Sequence, residues 1–262
     1  MLKEITLGQY YPVDSPIHRL DPRTKLLGTL VFLVTLFIAD GWQAYLVATV
    51  FLGGCIKLSG VPLGYMLKGL KAVIFLLLFS VAFNIFLTPG EVLVQIGALK
   101  MTKEGLIQAG YMAVRLIYLI MGSSLMTFTT TPTSLTDGME RGLGFLKIVR
   151  VPVHEIAMMM SIALRFIPIL TEETDKIMKA QTARGADFET GGLIRRAKAL
   201  IPILVPLFIS AFRRATDLAM AMEARCYHGG EGRTKMRPLR YAKRDYTAYA
   251  VMVVYTVCMV LL

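Results

Sequence analysis

The sequence has few charged residues and few of the side chains that bind metals or form disulfides. Only 18% of the 262 residues are charged and 55% are hydrophobic, whereas a soluble domain is about 25% charged and about 45–50% apolar. Three cysteines and three histidines lie far apart, with no Cys-x-x-Cys pair, so neither a disulfide framework nor a zinc site is indicated. This composition argues against a soluble enzyme and predicts no bound metal.

The sequence also lacks a phosphate-binding loop. No Gly-x-x-x-x-Gly-Lys-Ser/Thr stretch occurs, and this is the pattern whose backbone amides hold the phosphates of ATP. The apolar segments contain no cluster of histidines or carboxylates at one depth, which argues against a membrane-embedded enzyme. We therefore predict that the chain is not an enzyme and that it binds no cofactor itself.

The apolar residues gather in long runs, which indicates a membrane protein. A bilayer core about 30 Å thick takes about 20 helical residues. The first run, 26–56, is broken only by Asp40-Gly41 and predicts a hairpin of two short helices. Three further runs predict single spans, at 72–87, 106–128 and 246–262. The predicted fold class is an all-α integral membrane protein with about five transmembrane helices and long amphipathic cytoplasmic helices.

The distribution of basic residues predicts the orientation of the chain. With the N-terminus inside, 26 of the 29 lysines and arginines fall in cytoplasmic segments, and only Lys100 and Lys103 fall in outer loops. Such an excess on one side is the positive-inside pattern. We therefore expect a multi-pass protein of the cell membrane, with a cytoplasmic N-terminus and an extracellular C-terminus.

Two apolar stretches, 156–170 and 199–212, leave an alternative open because they could be two more spans. Each is about 14–15 residues long and contains proline, which is short for a bilayer. If both crossed, six basic residues between them would face outward, against the charge rule. We favour amphipathic cytoplasmic helices. The predicted segments are an N-terminal arm (1–25), transmembrane helices 1–4 (26–128), cytoplasmic helices (129–245) and a C-terminal transmembrane helix (246–262).

A basic cluster precedes the last predicted span. It follows the glycine-rich stretch 229–232 and contains Arg233, Lys235, Arg237, Arg240, Lys243 and Arg244. Basic residues beside a transmembrane helix on the cytoplasmic side are typical of contact with anionic lipid headgroups. The net charge of +11 is therefore explained by the bilayer, and we predict no nucleic-acid partner.

One short pattern occurs twice in the predicted cytoplasmic segment. The first copy ends in Ala183-Arg184-Gly185 and the second in Ala224-Arg225-Cys226, with the arginines 41 residues apart. Each arginine follows a helix-favouring run and is expected in the last helical turn, with Gly185 as a left-handed cap. A guanidinium at a helix tip can hold a carboxylate with two hydrogen bonds. The alternative is that each arginine only complements the helix dipole.

The order of features resembles the transmembrane T component of energy-coupling factor (ECF) transporters, the EcfT/CbiQ family. Besides the two Ala-Arg motifs, the resemblance rests on the run 14–25 (DSPIHRLDPRTK), on 129–132 (TTTP) after the fourth span, and on 163–168 (ALRFIP). It extends over essentially the whole chain. Cys226 departs from the family pattern, because glycine stands at the matching position of the first copy.

The resemblance implies a non-catalytic scaffold in an ATP-driven importer for vitamins or other micronutrients. The long cytoplasmic helices would be coupling helices whose tips dock into two ABC-type ATPases, which would bind the ATP and magnesium. A small membrane-embedded S component would bind the substrate. By motif match the docking residues would be the six listed here: Ala183, Arg184, Gly185, Ala224, Arg225 and Cys226.

Four further residues are candidates for a structural or coupling function: Asp21, Arg23, Arg115 and Arg165. Arg115 stands within the fourth predicted span, where an ionisable side chain is costly. A self-contained secondary transporter or channel is the alternative function, and it would need an intramembrane site rich in polar groups.

Overall fold

The chain is almost entirely helical in a computed structural model that describes residues 10–39, 41–96, 99–188, 192–230, 236 and 238–262. Eight α-helices and a two-stranded antiparallel hairpin are present in these residues: α1 (Pro22–Ile38), α2 (Trp42–Ser59), α3 (Leu63–Leu87), β1 (Val92–Ile96), β2 (Leu99–Thr102), α4 (Lys103–Thr129), α5 (Pro132–Gly142), α6 (Val153–Ala183), α7 (Leu193–Glu223) and α8 (Lys243–Leu261). A 3-10 helix, Gly144–Val149, lies between α5 and α6. The predicted all-α class is confirmed.

The described residues divide into two compact units. One, the bundle, comprises residues 8–139 and 239–262 and therefore contains α1 to α4 and α8. The other, the α6–α7 unit, comprises residues 140–238. The segment boundaries predicted from the sequence stay predictions.

The ends of α1 and α2 follow from local chemistry. The Asp21 side chain accepts a hydrogen bond from the Arg23 amide at 2.9 Å, and Pro22 occupies the first turn, where its missing N–H costs nothing. α2 begins after Gly41, whose φ of 87° suits glycine, and ends at Gly60 in the left-handed conformation. The two helices predicted within 26–56 are thus present, and Asp40 lies outside the described residues.

The bundle core forms where α1, α2, α4 and α8 meet. Phe32 and Leu36 of α1 pack with Ala44 and Ala48 of α2 and with Tyr255 of α8, and all five are buried. Gly122 of α4 allows this packing, because a Cβ there would lie 2.6 Å from the Phe32 ring. The first and last helices are therefore joined through one hydrophobic core.

Three described helices are long and apolar enough to cross a bilayer: α4, α6 and the 198–223 part of α7. α2 and the start of α3, taken together, are also long and apolar enough, although the chain bends by 119° between them. α6 and α7 have 31 residues each and continue through Pro168, Pro202 and Pro206, so each is about 46 Å long. Long helices were predicted here, but the apolar stretches 156–170 and 199–212 are parts of helices long enough to span, so the length argument against their crossing the membrane was wrong. The charge argument for a cytoplasmic position does not depend on length, and that position stays a prediction.

Candidate partner-docking site

The C-terminus of α6 carries the first arginine motif on a well-formed cap. Gly185 has a φ of 88°, the left-handed conformation that glycine adopts without steric cost. The Gly185 amide donates to the Thr182 carbonyl at 2.9 Å, and the Ala186 amide donates to the Gln181 carbonyl at 3.0 Å. These two bonds define a Schellman motif. The predicted left-handed cap is confirmed, and it places Arg184 at the C-cap, directly after Ala183.

The C-terminus of α7 repeats this geometry with a different residue. The Cys226 amide donates to the Glu223 carbonyl at 2.9 Å, and the Tyr227 amide donates to the Met222 carbonyl at 3.1 Å. Cys226 has a φ of 56°, so a residue with a Cβ occupies the left-handed position. Arg225 therefore stands in the same place relative to its cap as Arg184 does in α6.

We expect Cys226→Gly to strengthen the α7 cap. A residue with a Cβ in the left-handed conformation costs about 1 kcal/mol more than glycine, which corresponds to about a fivefold change in a local opening equilibrium. Hydrogen exchange of the last turn of α7 should slow by about this factor. Cys226→Ala is the matched control, because it removes the thiol but keeps the Cβ. An equal slowing in Cys226→Ala would show that the thiol, and not the backbone conformation, weakens the cap.

Both arginine side chains are available for a partner. Arg184 and Arg225 are exposed, and within the described ranges neither guanidinium has a hydrogen bond or an ion pair. Each sits at the negative end of a helix dipole, which favours a cation there by about 0.3–1 kcal/mol. The chain itself thus leaves the planar donor groups of both tips unused.

α6 and α7 run past each other in opposite directions. Arg214 Nη2 donates to Glu173 Oε2 at 2.9 Å, and Gln181 Nε2 lies 3.4 Å from the Pro202 carbonyl oxygen. That carbonyl has no helical donor because residue 206 is also proline. Since Gln181 lies beside Pro202 and Arg225 follows 23 residues later, the two arginine tips are about 35 Å apart at opposite ends of the pair.

The middle of α7 presents an apolar face. Six exposed side chains lie at helical spacing along it: Ile201, Leu204, Val205, Phe208, Ile209 and Phe212. Their spacing of three and four residues places them on one stripe. An exposed apolar stripe of this kind is typical of contact with lipid or with another membrane protein.

Asp21, which is buried, forms an ion pair with the half-buried Arg23 in the bundle. Arg23 donates to both Asp21 carboxylate oxygens at 3.0 Å, and its guanidinium lies over the Tyr241 ring at 4.1 Å. The Asp21 amide in turn donates to Asp245 Oδ1 at 2.8 Å. These contacts connect the start of α1 to the start of α8.

Asp245 is a central residue of this cluster that the sequence analysis missed. It is 1% exposed, and its second oxygen accepts a hydrogen bond from the Ala242 amide at 2.8 Å. An acid in the first turn of a helix is a recognisable capping signal. Its hydrogen bond with the Asp21 amide joins residues that are 224 positions apart, so no local sequence pattern predicts it.

Lys25 joins α1 to the end of α4. Its ammonium donates to the Thr129 carbonyl at 2.7 Å and to the His18 carbonyl at 3.0 Å. Burial lowers the pKa of Lys25, which precedes the first predicted span, to about 8, while Asp21 and Asp245 oppose the shift.

Arg115 and Arg165 occupy different environments. Arg115 donates from Nε to the Tyr45 hydroxyl at 3.0 Å and from Nη2 to the Ala39 carbonyl at 3.2 Å, at the C-terminus of α1. These contacts connect α4 to the α1–α2 turn. Arg165 is exposed on α6. The structure does not bring either residue to the helix tips, and the part of the basic cluster at 231–235 and 237 lies outside the described residues.

Helices long and apolar enough to cross a membrane define a helical membrane protein, and two of its long helices end in matching arginine tips. Residues 14–236 match the model of the CbiQ family, described as cobalt transport protein. The chain belongs to this family of transmembrane components of ECF transporters.

Relatives of known name agree with this assignment. The energy-coupling factor transporter transmembrane protein EcfT of Thermosediminibacter oceani is 54% identical over 248 residues, which cover 95% of this chain and 94% of that protein. The EcfT protein of Ruminiclostridium cellulolyticum is 50% identical over 262 residues, 100% of this chain and 98% of its own length. The EcfT protein of Bacillus subtilis is 48% identical over 255 residues, 97% and 96% of the two chains.

Proposed function

We propose that this chain is the scaffold that transmits ATP-driven motion from two ABC-type ATPases to a substrate-binding S component, for the uptake of vitamins or other micronutrients. The observation that supports it most is the pair of equivalent, exposed arginine tips on α6 and α7. Nucleotide and magnesium are bound by the ATPases in this proposal, and the chain itself holds neither.

The spacing of the tips fits two separate partners. A separation of about 35 Å is too large for one small groove, so Arg184 engages one ATPase and Arg225 the other. In each contact a guanidinium pairs with carboxylates of the groove, and the small side chains of Ala183 and Ala224 allow the helix end to approach closely. Gly185 and Cys226 turn the chain away just beyond each tip, which leaves the arginines foremost.

The contacts between α6 and α7 provide a path for motion. When the ATPases close on ATP, the two tips move as rigid ends of long helices. The Glu173–Arg214 pair and the Gln181–Pro202 contact lie between the tips, so relative movement of the tips changes the crossing of the helices there. The apolar stripe of α7, Ile201 to Phe212, offers the S component a surface that moves with this crossing.

We expect the C-terminally tagged chain, extracted from its native membranes in mild detergent, to co-purify with two ABC-type ATPases and a small hydrophobic protein. Mass spectrometry of the eluate identifies them, and an untagged strain is the control. Several different small proteins would indicate an S-component surface shared among substrates. Recovery of the chain alone, with substrate uptake into liposomes in the absence of ATP, would contradict the proposal and favour a secondary transporter.

A further inference from the structure

The bundle contains an apolar cavity that the coupling function does not use. It has a volume of about 330 Å³, within the range of about 300–1,000 Å³ that small-molecule sites occupy. α1, α2, α4 and α8 each contribute to its wall, with Phe32, Phe51, Leu125 and Met252 among the apolar side chains. The cavity thus lies between four helices of the bundle.

The cavity extends from one end of these helices toward their middle. On α1 its lining runs from Thr24 to Phe32, and on α4 it runs from Thr129 back to Gly122. The lining residues of α2 and α8 cover a similar number of positions, from Leu58 back to Phe51 and from Arg244 to Met252. Seven to eight helical residues correspond to a depth of about 10–12 Å. The lining of each of the four helices therefore begins at the same end of the bundle and reaches a similar depth.

The charged groups of the lining lie at that end. Lys25 and Arg244 line the cavity, and the described lining residues include no acid. Two of the three Lys25 donors are taken by the carbonyls of His18 and Thr129, which leaves one N–H for a ligand. Arg244 is exposed, and among the described residues its guanidinium has no hydrogen bond or ion pair.

We propose that the cavity binds one anionic phospholipid of the inner leaflet, with the part of an acyl chain nearest the headgroup between the four helices and the phosphate at Lys25 and Arg244. The wall is mainly apolar, and three of its four threonine hydroxyls already donate hydrogen bonds within the protein. It therefore suits a hydrocarbon chain better than an ordered water, which needs two to four polar partners. Basic pockets between transmembrane helices on the cytoplasmic side are suited to acidic headgroups. The charge of the mouth selects an anionic lipid over a zwitterionic one.

This site differs from general attraction of the membrane surface to the basic cluster. Lys243 and Arg244 are adjacent and both exposed, but only Arg244 lines the cavity. Surface attraction depends on total charge and treats the two residues alike, whereas a defined site distinguishes them. The pair Arg244→Gln and Lys243→Gln therefore separates the two possibilities with the same change of charge.

The test uses the full chain in detergent and native mass spectrometry with phosphatidylglycerol or phosphatidylcholine of identical acyl chains. We expect one phosphatidylglycerol to stay bound through delipidation, and phosphatidylcholine to be retained at least fivefold less. Arg244→Gln should lower phosphatidylglycerol retention at least fivefold, and Lys243→Gln should leave it unchanged. Equal retention of the two lipids, or equal effects of the two variants, would overturn the proposal.

Two further arms address the acyl chain. Ala248→Phe places a ring in the cavity and should abolish retention of both lipids. If this variant does not fold, Thr29→Leu replaces it in the test. Thr29→Leu fills less of the cavity and should lower lipid retention. Glycerol phosphate should not displace the lipid, because it has the headgroup chemistry without the chain. Displacement by glycerol phosphate would indicate an anion site only. Unchanged retention in a folded filling variant would show that the lipid binds outside the cavity and would overturn the proposal. Displacement of the lipid by a co-purifying small membrane protein would overturn it in favour of that protein as the occupant.

Discussion

Replacing Arg184 and Arg225 together by glutamate is expected to separate this chain from its ATPases while leaving its helices folded. Neither guanidinium has a partner within the described residues, so the cost to the fold is limited to the helix dipoles, about 0.3–1 kcal/mol at each tip. Removing one member of a buried charge pair at an interface costs about 2–5 kcal/mol. Because each tip engages a different ATPase in this proposal, the affinity for each ATPase should fall by about thirtyfold to several thousandfold.

The measurement is the amount of ATPase that co-purifies with the tagged double variant, alongside circular dichroism and size-exclusion chromatography of the variant itself. Lys176→Glu combined with Arg213→Glu is the matched control, because it makes the same charge change at exposed positions of α6 and α7 more than two helical turns from the tips. We expect the control to retain its ATPases. A tip variant that co-purified with wild-type amounts of ATPase would contradict the assignment of Arg184 and Arg225 as docking residues.

Asp245→Ala is expected to destabilise the bundle more than any surface substitution. The carboxylate is buried and accepts backbone hydrogen bonds from Asp21 and Ala242. Alanine would leave the buried Asp21 N–H and the partly buried Ala242 N–H without a partner, at about 1–3 kcal/mol each. The total of about 2–6 kcal/mol should lower the Tm by about 4–24 °C for a chain of this size.

Thermal unfolding in detergent, followed by circular dichroism, measures this effect. Asp217→Ala is the control, because Asp217 is exposed on α7 and a surface change is usually within about 0.5 kcal/mol. Asp245→Asn keeps one acceptor oxygen, so its Tm should lie between those of Asp245→Ala and Asp217→Ala. A Tm within about 2 °C of wild type for Asp245→Ala would mean that the Asp21–Asp245 contact contributes little to stability.

The helices of the bundle could be predicted because their signal is local. Apolar runs long enough for a bilayer specify a helix by themselves, and the glycine at position 185 specifies the α6 cap. The lengths of α6 and α7 could not be predicted from apolar stretches, since charged residues such as Lys176 and Lys179 continue the helix beyond the apolar part. Pro168, Pro202 and Pro206 lie within continuous helices and do not end them.

The contacts that organise the candidate site could not be predicted for a different reason. Asp245 with Asp21, and Gln181 with Pro202, join residues that are distant in sequence, and their pairing depends on the packing of whole helices. The β1–β2 hairpin in the predicted outer loop was also missed. The sequence thus identified both arginine tips but not the interactions that hold their helices.

The ion pair between Glu173 and Arg214 is related to the direction in which each tip arginine leaves its helix. Arg184 follows Glu173 by 11 residues, and Arg225 follows Arg214 by 11 residues. Eleven residues are about 20° more than three full helical turns, so each tip arginine emerges from nearly the same side of its helix as the residue of the ion pair. One contact therefore sets the rotation of both helices about their own axes, and with it the direction in which both guanidinium groups point.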